Sequence, residues 1–312
     1  MQLHGPGSDA CNSPWVHNVG MQNKSDTPHH APTEPRATSL QADSPCVPLC
    51  LAGRTALITG GSRGIGAATV RLFRQAGARA AFSYRTAEAE AEALSAECGG
   101  PSLCLPIQQE LSTPEDGQTL VARTLAALGD LDILIVNHAI WPPDGGVAAI
   151  APARWRRTFS INVDSVFGVV QAGAAHMLTR PAPAANAAGP IEAARGHIVL
   201  VASAAGQRGD AMHADYAATK GALISFTKTL SSELAPEGIY CNCVAPGWVS
   251  TEMSASAFAT PELAAQNLAA VPLGRPAHVH EVAGPILFLC TPFAGFISGE
   301  IFNVNGGAVL IG

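Results

Sequence analysis

Seven short aliphatic runs recur along the chain, and that rhythm constrains the fold more than any other feature. They lie near 55–59, 79–84, 103–107, 132–137, 197–203, 240–245 and 300–304. Between them fall longer Ala- and Leu-rich stretches with helical spacing, such as Ala67 to Ala76 and Thr119 to Leu128. Strands that are apolar at consecutive positions are buried on both faces, the pattern of a parallel sheet covered by crossover helices. The alternation therefore predicts an α/β fold: a single doubly wound domain over 51–312, with a seven-stranded parallel sheet and helices on both faces.

Two segments break the rhythm. Residues 1–50 carry seven prolines and four of the ten histidines, without apolar periodicity. They read as a disordered, Pro-rich N-terminal extension. The first basic residue is Lys24 and no apolar stretch follows it, so the segment does not read as a secretory signal. The second interruption, at 180–195, is rich in Pro, Ala and Gly and reads as a flexible surface insertion.

Charge and cysteine usage exclude other classes. The formal net charge is -6, which disfavours a nucleic-acid binder held by phosphate contacts. No apolar run approaches the roughly 18 residues that would cross a bilayer, and a cytoplasmic location is expected. The eight cysteines are scattered without a CxxC pair. Cys241 and Cys243 alternate within an apolar run and read as two small buried thiols on one strand face. Neither a disulfide framework nor a metal site is expected.

Chemistry-bearing residues gather after the strands. Thr59-Gly60-Gly61-Ser62-Arg63-Gly64-Ile65-Gly66 follows the first strand and opens the first helix. Glycines there allow a tight turn and let backbone approach a pyrophosphate, and the helix N-terminus supplies free N–H groups and a positive dipole end. The second strand, Ala80 to Tyr84, ends in Arg85 with no acid at its tip. An acid there would bond the adenosine ribose hydroxyls and repel a 2′-phosphate. Arg63 and Arg85 can instead bracket that phosphate with charge-assisted hydrogen bonds. The expected cofactor is NADP(H), with NAD(H) the weaker alternative.

Tyr216 and Lys220, spaced i, i+4, share one helix face. A neighbouring ammonium is expected to lower the phenol's pKa and make it a usable proton donor or acceptor. Activity is then expected to fall on the alkaline side as the phenol ionises. Ser203, thirteen residues earlier at a strand end, offers a hydroxyl to hold a carbonyl oxygen beside the phenol.

Taken together, the motifs resemble those of the short-chain dehydrogenase/reductase family over about 51–312. The matching pieces are TGGSRGIG at 59–66, ELS at 110–112, NHA at 137–139 and IN at 161–162. Ser203, YAATK at 216–220, PGWVST at 246–251 and NVNGG at 303–307 complete the set, in the family's order. The resemblance implies a Rossmann-type domain and an oxidoreductase acting on CH–OH groups. It implies that Tyr216 is the general acid in reduction, and that Lys220 tunes it and bonds the nicotinamide ribose. Ser203 would orient the carbonyl, and Asn162 would hold a water in a proton relay toward Lys220. Val249 and Thr251 would contact the nicotinamide carboxamide and phosphate region. Glu110 and Leu111 would lie beside adenine, and Asn137 beside the adenosine ribose. Ala139 is small enough to leave room for the cofactor, and His138 is expected to pack rather than catalyse.

Within the family the chain is most similar to the 3-oxoacyl-[acyl-carrier-protein] reductases. The implied substrate is a small molecule or an acyl thioester, with an acyl carrier protein as a possible partner. Other small or hydrophobic carbonyls, sugars and steroids stay open, because cofactor motifs say little about the substrate pocket. A non-catalytic NADP(H)-sensing protein is the minor alternative. Arg154, Arg156 and Arg157 are a candidate basic patch for an acidic carrier. A substrate loop is expected at about 252–273, with Met253, Phe258, Leu263 and Leu268 and no lysine or arginine. The resemblance also implies a homotetramer, joined through the Ala-rich helices after the fourth and fifth strands.

Overall fold

Strand positions follow the aliphatic runs closely. The computed structural model describes residues 49–181 and 194–310. Most of the N-terminal extension (1–48) and most of the proposed insertion (182–193) lie outside the described residues. The strands are β1 (Thr55–Ile58), β2 (Arg79–Tyr84), β3 (Cys104–Gln108), β4 (Ile133–Val136), β5 (Gly196–Val201), β6 (Ile239–Pro246) and β7 (Ile301–Val304). They pair in parallel in the order β3-β2-β1-β4-β5-β6-β7. The direction of winding reverses between β1 and β4. A crevice opens at that reversal, at the carboxyl ends of the strands.

Alternate strand residues feed two separate cores, because successive side chains point to opposite faces. Ala56, Ile58, Phe82, Ile133, Ile135 and Val199 enter one. Leu57, Ala81, Leu134, Ile198 and Leu200 enter the other. The first core is closed by α1 (Gly64–Gln75), α2 (Glu88–Glu97) and a late helix over Val279–Phe288, through Phe73, Leu94 and Ile286. The second is closed by α3 (Pro114–Leu128), by a long composite helix and by the helix that carries Tyr216.

The composite helix has three parts. These are α4 (Pro152–Phe159), a π turn over Ser160–Asp164, and α5 (Ser165–Thr179). A π turn inserts an extra residue into the ladder and is frequent at functional positions. It holds Asn162, whose side chain is fully buried. Then come the short α6 (Ala204–Arg208), α7 (Ala214–Leu234), α8 (Pro261–Leu268) and α9 (Val279–Phe288), the late helix named above. The expected substrate loop is structured: a 3₁₀ segment over Glu252–Phe258, followed by α8. Among the described residues, no helix is long and apolar enough to cross a membrane.

Candidate active site

The glycine turn is shaped by close approach. Gly60 has φ of +63°, and a Cβ there would stand 3.1 Å from the His138 Cα. At Gly66 a Cβ would fall 2.1 Å from the Gly60 carbonyl oxygen, so only glycine lets the helix start fold back on the turn. Arg63 is the N-cap of α1, yet no side chain caps the helix and its first turn holds no acid. Its first N–H groups therefore face the crevice unpartnered by side chains, which suits an incoming anion.

The end of β4 is bolted to this turn. Asn137 Nδ2 donates to the carbonyls of Thr59 and Gly60 at 3.2 and 3.1 Å. His138 sits between Thr59 Oγ1 at 2.7 Å and Ser165 Oγ at 2.8 Å. Ser165 spends its proton on the Ile161 carbonyl, so Nε2 of His138 must donate to it. Nδ1 then accepts from Thr59. Burial, helped by the Lys220 ammonium, pushes the imidazole pKa down to about 3. His138 is thus a neutral clamp, in keeping with the packing role read from the sequence.

At the other end of the crevice, α7 presents Tyr216 and Lys220 one turn apart, and Ser203 lies two residues beyond the end of β5. Ser203 Oγ accepts from Ala205 N at 3.1 Å as the N-cap of α6, which fixes the hydroxyl beside the phenol. Burial raises the Tyr216 pKa to about 12, and the Ser203 hydroxyl pulls it the other way. Lys220 is 2% exposed, and burial lowers its pKa to about 8. The expected lowering of the phenol by the ammonium is therefore reversed. Lys220 Nζ donates to the Val201 carbonyl at 2.7 Å and lies 5.8 Å from the Tyr216 ring centre, and burial is the largest influence on the phenol.

One crevice of about 680 Å³ joins both ends. Gly60, Ser62, Arg63, Gly64, Ile65, Arg85, Glu110, Leu111, Asn137, Ala139, Ser203, Tyr216, Lys220, Val249 and Thr251 all line it. Gly66 and Asn162 do not. Gly66 is packed beneath the turn. Asn162 Oδ1 accepts from Ile140 N at 2.8 Å, and Nδ2 donates to Ile140 O at 3.0 Å and Thr219 Oγ1 at 3.2 Å. Both amide protons are used on protein, so the side chain braces the loop after β4 against α7 rather than reaching into the crevice.

Several neighbours of the site escaped sequence reasoning. Trp141 and Trp248 line the crevice and meet edge to face, with centroids 6.0 Å apart. His213 packs on Trp141 at 4.6 Å, and Phe258, from the expected substrate loop, meets Trp248 at 5.4 Å. Arg208 and Asp210 add charge to the lining, and burial raises the Asp210 pKa. Arg154 is not part of a surface patch: it forks onto Asp215 at 2.9 and 3.1 Å, next to Tyr216. Asp215 is fully buried, and burial alone would raise its pKa. Hydrogen bonds from Arg154 and Thr158 outweigh that and hold the carboxyl below its usual range. Trp248 was visible inside PGWVST, and Asp215 directly precedes Tyr216. Nothing in the local sequence pairs Arg154 with a residue 61 positions away.

A doubly wound sheet with an anion-ready glycine turn and a Ser–Tyr–Lys group in one crevice defines a class, the dinucleotide-dependent carbonyl oxidoreductases. Comparison narrows the class. The family model described as Enoyl-(Acyl carrier protein) reductase matches residues 60–309. The chain is 33% identical over 264 residues to the 3-oxoacyl-[acyl-carrier-protein] reductase of Synechocystis sp., covering 83% of this chain and 98% of that one. Its fold is similar to a putative NAD(P) dependent gluconate 5-dehydrogenase from Beutenbergia cavernae with bound NADP. That match has a TM-score of 0.74 at 30% identity, covering 84% and 99% of the two chains. It is also similar to the 3-ketoacyl-(acyl-carrier-protein) reductase from Brucella melitensis complexed with NADH, with a TM-score of 0.73 at 28% identity, covering 83% and 100%. This chain belongs to the short-chain dehydrogenase/reductase family.

Proposed function

We propose that this protein is an NADP(H)-dependent oxidoreductase that interconverts a ketone and a secondary alcohol, with a 3-oxoacyl thioester as its substrate. The observation that carries the proposal is the convergence of Ser203, Tyr216 and Lys220 at the inner end of the crevice that begins at the glycine turn. The residues present fit a dinucleotide. The uncapped start of α1 and the side-chain-free surface of Gly60 and Gly64 suit a pyrophosphate, and Arg63 and Arg85 suit a 2′-phosphate. Glu110, Leu111, Asn137 and Ala139 would flank the adenosine half, and Val249 and Thr251 the nicotinamide half.

The cofactor supplies hydride when bound. The chain's own residues do the rest. Ser203 and Tyr216 direct two hydroxyls at the substrate oxygen, so charge that develops there meets donors already in place. The Tyr216 proton passes to that oxygen in reduction and returns in oxidation. Lys220 holds its ammonium over the Tyr216 ring, and Asn162 holds the loop after β4.

The thioester reading is supported by the 3-oxoacyl reductases among the relatives. Arg156 and Arg157 are exposed on α4 and offer an acidic carrier two cations. A second reading, a flat cyclic ketone, is favoured by the Trp141–Trp248 corner, which suits ring stacking. An NADPH-oxidation screen across an acetoacetyl thioester, small diketones, quinones, steroids and sugars tests both. Fastest turnover of the thioester supports the first reading, and fastest turnover of a cyclic ketone the second. NADPH binding without turnover of any ketone would point to the sensing protein instead.

A further inference from the structure

Arg63, one of the two arginines assigned to the 2′-phosphate, already has a partner. Its Nη1 lies 2.7 Å from Oε2 of Glu252, 189 residues further along the chain. Glu252 opens the 3₁₀ segment after β6, and both residues line the crevice. The position of Glu252 is set by its neighbours. Thr251 and Ser254 form a capping box at the start of that segment. The Thr251 methyl packs toward Gly64, where a Cβ would come within 3.4 Å of it. The acid is thus held against the glycine turn by backbone as well as by charge. Both side chains are mostly exposed, 61% for Arg63 and 71% for Glu252, so the pair is accessible to an incoming anion.

We propose that Glu252 is a specificity-determining residue that opposes NADP(H): it competes with the 2′-phosphate for Arg63 and restrains the preference for the phosphorylated cofactor. The inference rests on the reading that Arg63 receives that phosphate. A phosphate dianion arriving at Arg63 must displace Glu252 or sit beside it, and either outcome costs affinity through lost pairing or like-charge repulsion. A cofactor without the phosphate meets no such cost, because the Arg63–Glu252 pair stays closed beside it. One exposed carboxylate therefore acts selectively on one of two chemically similar ligands.

The test is equilibrium binding of NADPH and NADH to the full chain, followed by cofactor fluorescence. It compares the unmodified protein with Glu252→Gln, Arg63→Ala and the double variant. Glu252→Gln should tighten NADPH by about threefold or more at low ionic strength, the scale of an exposed pair, while NADH changes little. The gain should shrink in high salt and vanish in the Arg63→Ala background. Retained NADH binding certifies that each variant is folded. If Arg63→Ala leaves the NADPH-to-NADH ratio unchanged, the phosphate reading fails and the inference falls with it. If Arg63→Ala lowers that ratio but Glu252→Gln leaves it unchanged, the reading stands and the inference is overturned. A ratio lowered by Glu252→Gln would overturn it too, by showing that the acid orients Arg63 for the phosphate.

Discussion

The Lys220 ammonium lies 5.8 Å from the centre of the Tyr216 ring and gives its hydrogen bond to the carbonyl of Val201. Lysine and tyrosine therefore share a face of α7 without a direct proton bridge. Burial controls both: the phenol is pushed up to about 12 and the ammonium down to about 8. The phenol stays protonated through the working range, as reduction requires, and the residue that titrates near neutrality is the lysine.

Replacement of the donor tests the chemistry. Tyr216→Phe keeps the ring and removes the proton. It should preserve NADPH binding and cut kcat by about 10²-fold or more. Near-normal turnover of an accepted ketone would remove Tyr216 from the role of proton donor.

The alkaline limb should belong to Lys220. In the reductive direction, kcat/KM should hold level to about pH 8 and fall above it as the ammonium loses its charge. This replaces the expectation that phenol ionisation sets the limb. Lys220→Met should flatten the profile, slow turnover and weaken cofactor binding. Stability gives an independent check. The folded pKa lies below the ordinary lysine value, so the charge is a burden on the fold below pH 8, relieved as pH rises from about 8 toward the ordinary 10.5. Lys220→Met should therefore raise the melting temperature at pH 7 and gain less at pH 10. An equal gain at both would contradict the buried charge.

Arg154 should matter to stability through Asp215. Removing one partner of a buried pair leaves an uncompensated charge, at a cost of about 3–5 kcal/mol. Arg154→Met should lower the melting temperature by several degrees, and Arg156→Met should leave it nearly unchanged. Equal effects from the two would refute the inward role of Arg154.

Assembly is testable by light scattering. Phe167 is 45% exposed on α5, and Ala175, two turns further along, is exposed and small enough to permit close helix approach. A tetramer at micromolar concentration is expected, and a monomer would contradict it.

Local features carried most of what the sequence disclosed. Strand spans emerged from runs such as Ile133–Val136, which are buried on both faces and so contain no polar alternation to confuse them. Tyr216 and Lys220 were legible because i, i+4 spacing is a property of one helix. The crevice lining near the glycine turn followed from a motif only eight residues long. What stayed hidden depends on pairs brought together by the sheet order. The Trp141–Trp248 corner joins the loops after β4 and β6, and Arg63–Glu252 joins those after β1 and β6. The sign of the Tyr216 shift is hidden as well, since spacing shows a nearby cation but not how much water the fold removes.

The π turn at Ser160–Asp164 limits how this chain can change in length. Upstream, α4 ends at Phe159, and downstream α5 packs along α3. Deleting one residue from the turn would restore an ordinary helix and rotate everything beyond it by about 100° relative to α4. Asn162 would leave Ile140 and Thr219, or the buried face of α5 would turn away from α3. A single-residue deletion cannot be absorbed within this helix, and variants of altered length should survive only outside it.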